Sequence, residues 1–211
     1  RFDKSVKKNE KKGLNSSESI NDEELLSLIE TADSLQTVYK GTGAVILRDE
    51  GWQTINKDGS YTYKYHFIGK IYNEEYLNWS EINLKFTEGR SNAKIIYARS
   101  ISPQGNEFLL NENEIKTAVE SQSDKFFDKM NKTLTCRVPG VSPGSIIEYI
   151  YEINTYNPFD TQIFFSGWYF QDVIPVIMSR YHITYPETKK LNISFRNQPD
   201  NFKTIEENNI N

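Results

Sequence analysis

Residues 61–68 (YTYKYHFI) set Tyr61, Tyr63, Tyr65 and Phe67 at every second position, with Thr62, Lys64 and His66 between them. Successive side chains of a β-strand leave opposite faces, so the four rings share one face, expected to be buried, and the polar residues share a wetter one. The same alternation of β-branched and aromatic residues recurs from Gly43 onward, in short runs punctuated by Gly, Pro, Asn and Asp. The Asp58-Gly59 turn ties this strand to residues 44–55 as a hairpin. Further strands are expected over 77–86, 93–100, 107–110, 133–138, 146–153, 167–171, 176–185 and 191–195, with a turn at SPQG, 102–105. So many short, turn-separated strands predict an all-β fold, a two-sheet antiparallel β-sandwich.

At 211 residues, with 37% apolar and 13% aromatic content, the chain can fill a core. Residues 1–20 are Lys-rich, then Ser/Asn-rich, and read as a flexible lead-in. Residues 21–42 supply a short helix and linker. Asn21 and Glu24 form a capping pair, and Leu25, Leu28, Ile29 and Ala32 follow at helical spacing, which predicts a helix over 22–34 packed on its own domain. The sandwich takes 43–198, and 199–211 form a C-terminal tail or the start of a linker. The net charge of −4 gives no pull toward nucleic acid. The longest apolar runs, such as VIPVIM at 173–178, are far shorter than the roughly 18–20 residues of a membrane span. The chain opens at Arg1 without a signal-like segment, so a targeting peptide is expected to have been removed or left out.

The single cysteine, Cys136, lies two residues from both Leu134 and Val138, so alternation puts it on their core face. A thiol in apolar surroundings has a raised pKa and is inert, whereas a nucleophile needs a cationic neighbour or a helix N-terminus. His66 and His182 alternate with polar neighbours and read as sheet-surface residues; with one cysteine they make a poor metal set. Glu148 and Glu152 share a strand face but stand ~13 Å apart, beyond the ~5–9.5 Å of paired glycosidase carboxylates. Glu112 and Glu114 sit in a polar loop with nothing apolar to raise a pKa. The run 56–59 (NKDG) resembles part of a calcium loop, yet Thr54 and Tyr65 occupy its first and last ligand positions, so a hairpin turn explains it. No Walker loop, GxSxG elbow, HExxH or paired CxxC occurs. Sequons at Asn15, Asn78, Asn131 and Asn192 are what an Asn-rich chain produces by chance.

Four blocks carry a family resemblance: 45–82 (VILRDEGWQTINKDGSYTYKYHFIGKIYNEEYLNWSEI), 95–106 (IIYARSISPQGN), 138–153 (VPGVSPGSIIEYIYEI) and 167–186 (GWYFQDVIPVIMSRYHITYP). They resemble the bacterial domain of unknown function that precedes a transglutaminase-like domain in exported and envelope-associated proteins. The resemblance runs from about Ala44 to Phe195. It implies that Cys-His-Asp chemistry belongs to the downstream domain, that this chain stops before it, and that Cys136 matches an ordinary strand position. It assigns no substrate, cofactor or binding residue, and it implies a periplasmic, cell-envelope or extracellular location.

The function expected is therefore that of a non-catalytic accessory module, without cofactor or metal, that packs against or positions substrate for a transglutaminase-like domain of the same polypeptide. Its candidate contact residues are Pro139, Gly140, Pro143 and Gly144 of the PGVSPG loop, Asn157 and Pro158 of the NPFDTQ loop, and Trp168 and Tyr169. One alternative is a carbohydrate or cell-wall-fragment binding module, taking a glycan or peptide on aromatics around Trp168 and Tyr169. The other is a cysteine hydrolase using Cys136 and a histidine.

Overall fold

The computed structural model describes residues 19–38, 41–119, 130–198 and 202–205. Apart from Ser19 and Ile20, the lead-in expected over 1–20 lies outside them, as does the tail expected over 199–211 apart from 202–205. Helix α1 (Asp22–Val38) precedes β1 (Ala44–Ile55), β2 (Tyr61–Ile71), β3 (Glu81–Thr87), β4 (Ser91–Ile101), β5 (Glu107–Leu109), β6 (Lys116–Val119), β7 (Asn131–Arg137), β8 (Ile146–Thr155) and β9 (Ser179–Thr184). The strands form a six-stranded sheet, β5-β4-β8-β2-β1-β9, and a three-stranded sheet, β3-β7-β6. The chain is mostly β with two sheets, as the alternation predicts.

The β1–β2 hairpin closes as expected, with Ile55 opposite Tyr61. Gly59 takes φ 86°, open to it because it lacks a Cβ, and Asp58 Oδ1 accepts the Ser60 N–H at 2.9 Å. A bulge between Ile46 and Arg48 changes which residues of β1 face α1. Beyond it, Arg48 and Glu50 face α1, while Asp49 and Gly51 face the other way.

Pairing is not antiparallel throughout. β9 runs parallel to β1, with Asp49 opposite Ser179 and Thr54 opposite Thr184. A tight hairpin cannot join strands in this way; the long connection 156–178 carries the chain across before it enters beside β1. Residues 167–171 and 191–195, expected as strands, belong to no ladder. Within the expected strand 77–86, the first residues instead belong to a 3-10 turn, Glu74–Ser80, whose cap Asn73 accepts the Glu75 N–H. The four-residue β6 escaped the pattern because KTAV is too short to alternate visibly.

Among the described residues, three apolar clusters organise the core, the smallest being Ala44, Ile46, Phe67 and Ile174 on the face away from α1; the two larger ones join the layers. One joins the sheets: Ile71, Ile95 and Ile147 of the large sheet pack with Ile82, Leu84, Leu134 and Cys136 of the small one. The other joins Leu25, Ile29 and Ala32 of α1 to Val45, Leu47, Ile68 and Ile146 beneath them. Because α1 covers this face, the expected burial of β2 is reversed over part of its length. His66, Ile68 and Lys70 are buried, whereas Tyr61, Tyr63 and Tyr65 are half-buried. His66 is thus a buried residue, not a sheet-surface one. Asn21 caps α1 by accepting the Glu24 N–H at 2.9 Å. The Glu24 carboxylate pairs with Arg48, and the helix continues past residue 34 to Val38.

Leu25 is fully buried between α1 and the sheet. Leu25→Ala is expected to destabilise the chain by about 2–5 kcal/mol, read as a lower urea midpoint. An unchanged midpoint would show that α1 is not part of the cooperative unit.

Candidate functional site

The large sheet presents two chemically different faces. On the α1 side, β8 places Glu148 between Ile146 and Ile150, and all three are buried. Glu148 Oε1 accepts from His66 Nε2 and from the Ile20 main-chain N–H, each at 2.9 Å. Glu148 Oε2 accepts from Arg99 Nε at 2.7 Å and Nη2 at 2.6 Å. Arg99 Nη1 also donates to Glu107 Oε1 at 2.8 Å. Arg48 Nη1 lies 3.4 Å from His66 Nδ1. Since a guanidinium only donates, Nδ1 accepts and Nε2 carries the proton given to Glu148. Burial pushes the Glu148 carboxyl up, but the His66 hydrogen bond, the Arg99 charge and the Ile20 N–H together outweigh it and hold the group below its ordinary value. With both oxygens doubly occupied, this carboxylate has no lone pair to spare for a substrate; it anchors the start of α1.

On the opposite face lies an aromatic cleft of about 410 Å³ between the large sheet and the 167–178 segment. Its floor holds Tyr63, Tyr65 and Tyr149, and Trp168 closes one side. A Cβ on Gly51 would come within 2.5 Å of the Trp168 ring, so glycine is what lets the indole lie on β1. Trp168 stacks on Tyr181 at 5.0 Å, and its Nε1 donates to Ser179 Oγ at 2.9 Å. Ser179 Oγ donates to Asp49 Oδ2 at 2.9 Å, and the Tyr65 hydroxyl donates to Asp49 Oδ1 at 2.7 Å. Burial raises the Asp49 carboxyl above its ordinary value, the hydroxyl bonds from Tyr65 and Ser179 oppose this, and the Asp172 charge reinforces it. A second cleft, about 490 Å³, opens between the sheets beside Tyr61, Phe86, Lys132 and Ile153.

Cys136 lies where the alternation puts it, buried with Leu134 and Val138. Burial, aided by the Glu114 charge, pushes its thiol up to about 11. Neither histidine bonds to it: His66 pairs with Glu148, while His182 pairs with Glu50 at 2.8 Å and stacks on Trp52. Among the described residues, no three His, Cys, Asp or Glu side chains are placed to hold a metal, and no helix is long and apolar enough to cross a membrane.

The expected contact residues do not converge. The PGVSPG loop packs on β5 and the β4–β5 connection: a Cβ on Gly140 would meet Phe108 at 2.4 Å, and one on Gly144 would meet Pro103 at 2.7 Å. The Pro139 carbonyl accepts the Ser100 hydroxyl, and Pro143 is exposed. Asn157 lies at the β3–β4 turn, donating from its main chain to the Arg90 carbonyl at 3.1 Å, and Pro158 is half-buried beside it. Of the set, Trp168 and Tyr169 line the aromatic cleft. Sequence reasoning missed Asp49, Ser179 and Arg99, and it weighed Glu148 only as a partner of Glu152, not as the buried partner of Arg99. Arg99 and Glu148 are each a charge flanked at i±2 by apolar or aromatic residues on a core-facing strand.

A family model described as "Domain of Unknown Function with solved-structure structure (DUF3857)" matches residues 57–211. No curated protein matches the sequence. A solved structure described as "a putative protease from Parabacteroides distasonis ATCC 8503" is similar with a TM-score of 0.59 and 17% identity, over 69% of this chain and 29% of that one. The chain therefore spans under a third of that polypeptide, and the likeness is one of fold. The CBM3a-L domain with flanking linkers from scaffoldin cipA of the Clostridium thermocellum cellulosome has a TM-score of 0.30 and 12% identity over 54% of this chain and 68% of that one, too slight a likeness to carry an argument.

Two outcomes follow from this geometry. Glu148→Gln removes the anion that Arg99 and His66 share, leaving Arg99 paired with Glu107, and is expected to destabilise by about 3 kcal/mol, the low end for a broken buried pair. The native contribution is complete above the unfolded carboxyl value of about 4.3 and is lost as pH falls through the lower folded value, so the variant's acid unfolding should lack that component. Cys136 in the folded chain should react with Ellman's reagent about two orders of magnitude more slowly than a free thiol, since its thiolate population falls tenfold per pH unit from about 8.5. Urea should restore the full rate.

Proposed function

The chain belongs to the DUF3857 family, and we propose on that premise that it is a non-catalytic β-sandwich accessory module of an exported bacterial protein, which packs against or positions substrate for a transglutaminase-like domain of the same polypeptide. The sandwich reading is supported by the apolar cluster shared between the two sheets. Family resemblance motivates the downstream domain and the periplasmic or envelope location.

One observation carries the docking role. Apart from Val38, Phe108 and Val119, every exposed large apolar side chain among the described residues lies between Tyr156 and Ile205. Ile163, Phe165, Val173 and Ile193 are 69%, 95%, 96% and 56% exposed. Scattered exposed apolar residues are ordinary, but their concentration in one segment suits a surface that a neighbour covers. Burial of Cys136 argues against a hydrolase built on it. The sugar-platform alternative is weakened because the Trp168 indole already stacks on Tyr181, which leaves Tyr169 as the one exposed ring of the Trp168–Tyr169 pair.

In the isolated chain, Phe165→Ser should change stability by less than about 0.5 kcal/mol. In the full-length polypeptide, the same substitution should increase hydrogen exchange or proteolysis across 156–178. Equal protection of this segment with and without the downstream domain would overturn the docking role, and transamidating or hydrolytic turnover by the isolated chain would overturn the non-catalytic one.

A further inference from the structure

The aromatic cleft has a composition that selects its ligand. Two carboxylates, Asp49 and Asp172, line it together with Tyr63, Tyr65, Trp168 and Tyr169, and no lysine or arginine is among its lining residues. Asp49 has no ion-pair partner among the described residues. Its oxygens are held in place by the Tyr65 and Ser179 hydroxyls, which fix its orientation without neutralising its charge. The second carboxylate opposes the first electrostatically, so a cation between them relieves repulsion as well as gaining attraction. Ring faces attract a cation further, and more strongly as the site is desolvated.

Beside the cleft runs a main chain with unmet hydrogen-bonding capacity. Residues 163–172 contain neither turn nor ladder, although 167–171 have the composition of a strand. Among the described residues, no hydrogen bond engages the main chain of 167–171, and Tyr169 is 89% exposed. An unpaired strand-like segment is what an added extended peptide pairs with, its alternate side chains falling into neighbouring pockets.

We propose that the cleft binds an extended peptide through the main chain of 167–171 and receives a lysine side chain of that peptide, whose ammonium sits between Asp49 and Asp172 with its aliphatic stem against the tyrosine rings. The inference does not depend on the docking role proposed above, because the site lies wholly within this chain and is tested on it alone.

The test uses the 211-residue chain, uniformly labelled with nitrogen-15, titrated with the peptide acetyl-Ala-Val-Lys-Val-Ala-amide and with its norleucine counterpart. Saturable shifts of the amides of 167–171 and of the Trp168 indole N–H are expected with the lysine peptide, at least tenfold weaker with norleucine. Asp172→Asn, at an exposed position, should weaken lysine-peptide binding at least fivefold while leaving the chain folded. Asp49→Asn should weaken it at least tenfold, with its fold checked by the dispersion of the same spectrum. Absence of saturable shifts in the folded wild-type chain would overturn the proposal. So would equal affinity for the two peptides, or an unchanged affinity in both folded variants.

Discussion

Glu148 is the point on which the arrangement around the large sheet turns. It lies on β8, between β4 and β2, and each of its carboxylate oxygens accepts two donors, which come from β4, from β2 and from Ile20, two residues ahead of α1. Removing two charges from water costs several kcal/mol per ion, so a buried pair of this kind adds little net stability over an apolar replacement. What it adds is position. An apolar stripe alone lets α1 slide or rotate on the sheet, since Leu25 and Ile29 would find apolar partners at several registers. A charge that must meet the Ile20 N–H, with the Arg99 guanidinium reaching back toward the Ile20 carbonyl, admits one. Pairs of α1 with the sheet farther along, Glu24 with Arg48 and Asp33 with Lys70, fix the remaining degree of freedom.

The same strand sends Tyr149 and Tyr151 to the other face, where the packing is aromatic. Tyr65 meets Tyr149, Tyr151 and Trp168, and Phe67 meets Trp79 edge-on at 5.1 Å. Such contacts contribute about 0.5–1.5 kcal/mol each beyond burial, and they depend on glycines at matched positions. Gly51 makes room for Trp168, and Gly69 makes room for Trp79, where an added Cβ would come within 2.5 Å of the ring. The two indoles come from different stretches, the turn before β3 and the segment after β8. They thus lock both onto one sheet face, leaving the cleft between them.

Much of this was legible in the sequence, for reasons of period. β1 matches its expected limits because its turn and its alternation agree, and Cys136 lies on the core face because Leu134 and Val138 bracket it at spacing two. The polar core was legible only in part: the apolar i±2 neighbours of Arg99 and Glu148 mark those two charges as inward-facing, but not what they meet. Periodicity says which residues share a face, but not what lies over that face, and His66 changes from surface to interior once α1 settles on it. Nor does periodicity give direction: β9 alternates whether it runs parallel or antiparallel to β1, and only the length of the connection distinguishes the two. Asp49 and Ser179 are 130 residues apart and meet through that parallel pairing. No local pattern connects them.

The two segments with strand composition but no partner, 167–171 and 191–195, are of a different kind. A strand is stable only when its N–H and C=O groups are paired, so local preference cannot by itself create one. Both segments lie in the stretch that exposes most of the apolar surface, and Phe170 and Phe195 each contact Phe202 edge-on, at 5.1 and 5.0 Å. This small cluster holds the segments near each other without pairing them. Unpaired strand-like segments of this kind invite association with another chain. Their retention beside a folded core is understandable if their pairing partners come from outside these residues. Strand propensity and observed structure disagree in these segments because pairing, not local preference, decides whether a strand forms.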